Sequence, residues 1–331
     1  MSPDKAQQII KQAMTDRNMY DAMVARENEV WGAILPALEH SEAKIEDMAA
    51  TEKLDANRYQ SYLIGIAQEK NLRFEHGLTL GCGAGRLERA LIKEGICRSL
   101  HGIDISEKAI AAARAVAKEQ SLPLTYEVAD LNFAELPEKT YDLVAAQTSL
   151  HHILFLERAA DQIWHSLKTD GYLWIHDFIG ETQWQYDPKR LSITNHILAI
   201  LPEKFRKNKI NARLTTELKR PEPGMLGSPF ESIRSSEIIS IFERWFTIEW
   251  KLEFNAFLHL VAPPGTRAAY IEDDNTRALF EVLLLLDRLC IEEKIVQPTG
   301  GQYLMRPKPI NEIPPKAAQA DDERISSLRP A

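Results

Sequence analysis

The chain has 331 residues, 44% hydrophobic and 27% charged, with a formal net charge of −8. That length can bury a sizeable core, and the acidic balance argues against broad nucleic-acid binding, which relies on clustered Lys and Arg. Cys82, Cys97 and Cys290 show neither metal-ligand spacing nor a disulfide framework, no secretory h-region opens the chain, and no apolar run is long enough to cross a bilayer, so a soluble cytoplasmic protein with no membrane or nucleic-acid partner is expected.

Residues 1–73 read as an N-terminal helical segment, with apolar positions at helical spacing through Ile9, Ile10, Ala13 and Met14 and again through Tyr59, Tyr62, Leu63 and Ile66. Strand and helix signals then alternate. "GLTLG" (77–81) predicts a strand and 86–94 a helix. "SLHGID" (99–104) predicts a second strand, followed by an Ala-rich helix with Ser106 as its N-cap. "LTYEVAD" (124–130) and "YDLVAAQ" (141–147) read as further strands. A helix over 157–168, a break at Asp170-Gly171 and the strand "YLWIHDFI" (172–179) follow. This alternation predicts an α/β fold with a doubly wound, mostly parallel sheet, which binds ligands at the carboxyl ends of its strands.

The regularity fails after Ile179. Residues 187–246 read mostly as helix with a break at 220–229, "FTIEWKLEF" (246–254) as a strand, 275–295 as a long helix and "GQYLMRPK" (301–308) as a last strand. Residues 309–331, rich in Pro and charge, are expected to form a mobile tail. The expected divisions are thus 1–73, a cofactor-binding core over 74–180, substrate-binding insertions with the final strands over 181–308, and the tail.

The run "LTLGCGAGRLERAL" (78–91) carries the strongest signal. It is not a P-loop, because no Lys-Ser or Lys-Thr follows the glycines. Nor is it a dinucleotide fingerprint: the spacing is G-x-G-x-G, with Arg86 where a third glycine would stand, and Glu88 in the helix's first turn would repel a pyrophosphate. A ligand without phosphate fits better. Asp104 closes the second strand, where an acid accepts hydrogen bonds from both ribose hydroxyls, and Asp130 closes the third, where it could receive an exocyclic amine. Ribose and adenine without phosphate match S-adenosylmethionine.

"LTLGCGAGRLERAL", "LHGIDIS", "YEVADLN", "YDLVAAQTSLHHI" and "LKTDGYLWIHDF" together resemble, in order and spacing, the motifs of class I S-adenosylmethionine-dependent methyltransferases of the small-molecule branch. The resemblance implies the seven-stranded fold of that class, with N-terminal helices and helical insertions near the last strands. It further implies that Gly81, Cys82, Gly83 and Gly85 form the cofactor turn. Asp104 would hold the ribose, Ile105, Asp130 and Leu131 would lie around the adenine, and Gln147 near the sulfonium. Many members carry an acid two residues before the first glycine; here Thr79 stands there.

Methyl transfer is an in-line displacement, and a hydroxyl acceptor gains from a general base, a task suited to His. His151, adjacent His152, and the His176-Asp177 pair all fall at carboxyl ends of strands, so His151, His176 and Asp177 are the catalytic candidates. Pocket-shaping is their competing role. Adjacent histidines rarely share a metal, and no metal is expected. Gln183, Trp184, Gln185 and Tyr186 suit an acceptor pocket; the basic stretch 202–220 and Arg234 are candidate anion contacts, and Trp31 fits either a lid or a core. The expected activity is methylation of a small molecule such as a sugar or secondary metabolite, at oxygen by preference. The alternatives are a protein or RNA methyltransferase, which would need an open basic groove, and a non-catalytic cofactor-binding protein.

Overall fold

The computed structural model describes residues 3–38, 50, 54 and 61–313. Tyr59 and the expected tail from 314 onward lie outside the described residues. Helices α1 (Pro3–Ala13), α2 (Arg17–Leu38) and α3 (Ser61–Glu69) precede the sheet. Strands β1 (Phe74–Leu80), β2 (Cys97–Asp104), β3 (Leu124–Val128), β4 (Tyr141–Gln147) and β5 (Leu167–Phe178) alternate with α4 (Arg86–Lys93), α5 (Glu107–Glu119) and α6 (Leu156–Ser166). Then come α7 (Pro188–Ile200), α8 (Ile238–Phe242), β6 (Phe246–Phe254), α9 (Asp274–Glu292) and β7 (Gly300–Pro307).

The seven strands form one sheet in the order β3-β2-β1-β4-β5-β7-β6. Pairing is parallel from β3 through β5, whereas β7 runs antiparallel to both β5 and β6. The chain winds outward from β1 to β3, then crosses back to β4 on β1's other side. The gap between the carboxyl ends of β1 and β4 is therefore the switch point, where such sheets bind ligands.

Strand alternation assigns residues to two cores. Leu78, Val144, Ala146, Leu173 and Ile175 face α6 and α8. Leu143, Ala145, Tyr172 and Trp174 face α3 and α4. A strand buried on both faces needs apolar residues at successive positions, and "LVAA" in β4 is such a run. Ser106 caps α5 as expected, accepting a hydrogen bond from the Ala109 amide at 3.3 Å. A satellite core joins α7 and α9 to residues 256–262.

Two sequence expectations are corrected here. Asp170-Gly171 does not end an element: β5 runs through it, and the misfit is absorbed where pairing jumps from Tyr141–Leu167 to Leu143–Tyr172. The segment 207–234 holds no α-helix; its Pro and Gly residues and side-chain-capped turns, such as Asn208 accepting from the Ile210 amide at 2.8 Å, replace helical hydrogen bonds. No described helix is long and apolar enough to cross a membrane.

Candidate active site

At the switch point β1 runs into the glycine turn. Gly81, Gly83 and Gly85 take φ of 64°, 53° and 79°, the left-handed region that side chains disfavour. A Cβ on Gly81 would also collide with Ser149, which follows β4, so the two strand ends can approach only over bare backbone. Asp104 braces the turn, its Oδ2 accepting from the Gly83 amide and its Oδ1 from the Ser106 amide, both at 2.8 Å.

A half-open cleft lies above, lined by Gly81, Gly83, Asp104, Ile105, Asp130 and Leu131. Of the other sequence candidates, Gln147 ends β4 just short of the cleft, where Thr148 and Ser149 take over the lining. Cys82 packs beneath the turn toward Tyr126, and Gly85 sits over the Tyr126 hydroxyl. Burial raises the pKa of Asp104 against the pull of its two amide donors, and that of Asp130 against Tyr20 and Asn132.

Helix α2 roofs the cleft through Glu27 and Trp31. Tyr20 anchors the roof: its hydroxyl donates to Asp130 at 2.5 Å, and its ring packs on Phe133 and Phe230 at 5.2 and 5.7 Å. Asn132 fixes the wall, its Oδ1 accepting from the amides of Leu154 and Phe155 at 2.8 and 3.1 Å.

Beyond β4 a 3₁₀ turn, Leu150–His152, presents the two histidines, with ring centroids 4.2 Å apart. His151 Nδ1 lies 2.5 Å from Asp177 Oδ1, and Asp177 Oδ2 accepts from the amides of Ser149 and Leu150 at 3.0 and 2.7 Å. Burial works to raise Asp177's pKa, but His151 and these amides prevail and hold it below the usual value. His152 lines the cleft, its Nδ1 2.8 Å from Glu27 Oε1. Glu27 is only 3% exposed and accepts from Trp31 Nε1 at 2.8 Å and from the Ser228 hydroxyl. Burial would raise its pKa; His152, Ser228 and Trp31 outweigh that and lower it. Glu231 completes the cluster, with its oxygens 3.5 Å from His151 Nε2 and 3.8 Å from His152 Nε2.

His176 does not join this site. It follows Trp174 on the opposite sheet face from Asp177, and packs against Trp174 and Phe254 at 5.9 and 5.8 Å. Burial pushes its pKa down to about 4. Gln183 is fully buried, donating to the Glu231 carbonyl and accepting from the Gly224 amide, so it props the 220–233 loop and does not line the cleft. Arg234 is buried as well, in a two-pronged pair with Glu157 at 2.7 and 2.8 Å, which removes it as an acceptor anchor. Trp31 acts as roof, not core. Glu27 and Phe230 in the cleft and Glu231 beside the histidines went unmarked in the sequence reading, which placed His152 among the strand-end histidines without choosing it as a catalytic candidate.

Glu88 corrects another expectation. It is fully buried beneath the glycine turn and accepts from the Thr79 hydroxyl, so it does not face a ligand. Burial raises its pKa to about 7. A raised acid stabilises the fold fully below its ordinary value of 4.5, and the contribution fades as pH climbs through 7. Glu88→Gln, which cannot ionise, is therefore expected to flatten the loss of stability over this interval by about 3 kcal/mol. Urea unfolding of both proteins at the two ends of the interval checks it; equal slopes would refute it.

A mostly parallel sheet with this strand order, with a glycine turn and two carboxylates at the cleft of its switch point, defines an α/β domain of the doubly wound class. Residues 78–175 match the family model described as Methyltransferase domain, and this segment is a class I, S-adenosylmethionine-dependent methyltransferase domain. The chain is 29% identical over 168 residues to arginine-hydroxylase NDUFAF5, mitochondrial, of Rattus norvegicus, covering 51% of this chain and 44% of that one. It is 32% identical over 88 residues to ubiquinone biosynthesis O-methyltransferase of Coxiella burnetii, covering 27% of this chain and 37% of that one. The match thus spans less than half the length of either relative. Among solved structures, phosphoethanolamine N-methyltransferase 2 of Haemonchus contortus in complex with S-adenosyl-L-methionine aligns at 15% identity, with 84% of this chain, 60% of that chain and a TM-score of 0.47. The residues present fit the family's cofactor: bare backbone at Gly81 and Gly83, and carboxylates at Asp104 and Asp130 lining the same cleft.

Proposed function

We propose that this chain transfers a methyl group from S-adenosylmethionine to an oxygen of a small-molecule acceptor. The observation that carries this reading is the roofed cleft: α2 lies over it through Glu27 and Trp31, and His152 and Phe230 form its wall. A cleft narrowed by a helix on one side suits a compact acceptor better than a protein or RNA strand, which would need a long open groove. When bound, the cofactor supplies a sulfonium methyl with a good leaving group. Gly81 and Gly83 would pass beneath its methionine part, Asp104 would receive the ribose hydroxyls, and Ile105, Asp130 and Leu131 would enclose the adenine.

The rest of the work is alignment and proton removal. His152 faces the cleft with Nδ1 fixed by Glu27, which leaves Nε2 for the acceptor's hydroxyl. His151, oriented by Asp177, stands behind it and supports the same corner. Incubating the protein with methyl-labelled cofactor and a panel of hydroxylated metabolites should give an acceptor heavier by one CH₂ and an equal amount of S-adenosylhomocysteine. A gain of oxygen, the change named for the rat relative, would overturn the proposal. So would cofactor binding with no S-adenosylhomocysteine formed from any acceptor.

A further inference from the structure

The geometry points to a binding site for one divalent transition-metal ion, held by His151 Nε2, His152 Nε2 and the Glu231 carboxylate. Among the described residues these three are the group whose candidate ligand atoms all lie within 4.8 Å of one another. Each histidine has its Nδ1 on a carboxylate, His151 on Asp177 at 2.5 Å and His152 on Glu27 at 2.8 Å. Each Nε2 in turn lies 3.5 or 3.8 Å from a Glu231 oxygen. An imidazole–carboxylate pair of this kind is joined either by a proton or by a metal ion, and a metal takes the neutral imidazoles as ligands.

A metal satisfies this arrangement in three ways. Bonds of about 2.0–2.2 Å set tetrahedral ligand–ligand edges near 3.3–3.5 Å, so a group whose ligand atoms already lie within 4.8 Å of one another needs only a modest contraction to close on an ion. Imidazoles whose second nitrogen donates to a carboxylate are the usual outer support of metal-bound histidine, fixing the tautomer and raising basicity. Asp177, Glu27 and Glu231 bring three negative charges around two imidazoles, and a divalent ion offsets most of that charge. Successive histidines on a strand or helix diverge; here the 3₁₀ turn brings their rings to 4.2 Å, which removes the objection drawn from the sequence. Two nitrogens and one carboxylate select zinc, iron(II), cobalt(II) or manganese(II) over calcium and magnesium.

Of the three ligands His152 alone lines the cleft, so a bound ion would lie at the cleft's edge. On the proposed methyl-transfer reading, a bound ion would occupy His152 Nε2 and itself hold and polarise the acceptor oxygen, so that His152 would act through the ion; the metal site itself does not depend on that reading.

The test is titration of the chelator-stripped full chain with cobalt(II), followed by visible absorption and calorimetry. One ion per chain with tetrahedral-type bands is expected. Glu231→Gln and His152→Ala should each weaken binding at least about 100-fold, and Asp177→Asn about 10–100-fold, whereas exposed His196→Ala should not change it. Circular dichroism confirms that each variant is folded. Absence of stoichiometric binding, or Glu231→Gln and His152→Ala binding as the wild type does, would overturn the site. Metal binding without any methyl transfer would instead count against the proposed function alone.

Discussion

His152→Gln is expected to lower turnover about 10²–10⁴-fold, the usual worth of a group that takes or holds a reacting proton, while leaving cofactor affinity nearly unchanged. Glutamine can still reach Glu27, so the roof keeps its contact, but it brings no imidazole nitrogen to the cleft. Asp177→Asn should produce a loss of comparable size without touching the cleft. Asp177 gathers the amides of Ser149 and Leu150 as well as His151, and an Asn amide group would face donors on at least one side. Because both residues serve one cluster, their effects should not add. The double variant should be about as slow as the slower single one, as seen when catalytic residues act as a unit. Single-turnover rates with labelled cofactor decide this. A His152→Gln enzyme within about tenfold of wild type would remove His152 from the chemistry, and multiplied losses in the double variant would show that Asp177 acts independently.

The contrast between His176 and Asp177 shows what was legible in the sequence and what was not. The strand carrying both could be read from "YLWIHDFI", and the two-residue period of a strand already implies that neighbours face opposite sides. What could not be read was which side faced the cleft, because this depends on α6 and α8 packing on the Leu173–Ile175 face. Regular elements were legible for a related reason: β4 and β6 need only local alternation or an apolar run, and their bounds match the reading from sequence. Asp170-Gly171 misled because a turn dipeptide can also be taken up by a pairing irregularity within a strand. Glu231 was illegible, since it stands in a segment without periodicity and reaches the histidines only through the Gln183-propped loop. Glu27 left a fainter trace. It interrupts the buried helical stripe Tyr20, Met23, Glu27, and an acid on such a stripe must find partners when buried. His152 and Ser228 supply them, and they come from parts of the chain remote from α2.

Asp104→Ala should weaken S-adenosylmethionine and S-adenosylhomocysteine binding about 10²–10⁴-fold. The estimate follows from two charge-assisted hydrogen bonds to ribose hydroxyls, each worth about 1.5–3 kcal/mol, with tenfold in affinity for every 1.4 kcal/mol. Asp104 is 9% exposed and lies in the cleft wall, and each carboxylate oxygen has spent one lone pair on an amide, of Gly83 or Ser106. The remaining lone pairs are available to a ligand, and the bracing holds them in place before it arrives, so little ordering cost is due on binding. Alanine loses both roles at once: the ribose partner and the clamp that holds the Gly83 amide toward Asp104. Asp104→Asn separates the two, because one oxygen still accepts while its amide group must face a backbone donor. Its affinity should fall nearly as far, by conflict as well as by lost charge. If Asp104 acts on binding alone, saturating cofactor should restore most of the turnover in both variants, raising KM with kcat largely kept. Calorimetry with S-adenosylhomocysteine measures the affinity directly, and the thermal stabilisation that this ligand gives wild type should vanish in the variants at the same concentration. An affinity within about threefold of wild type in the alanine variant, less than 1 kcal/mol, would move the ribose elsewhere in the cleft and with it the placement of the methyl group beside His152.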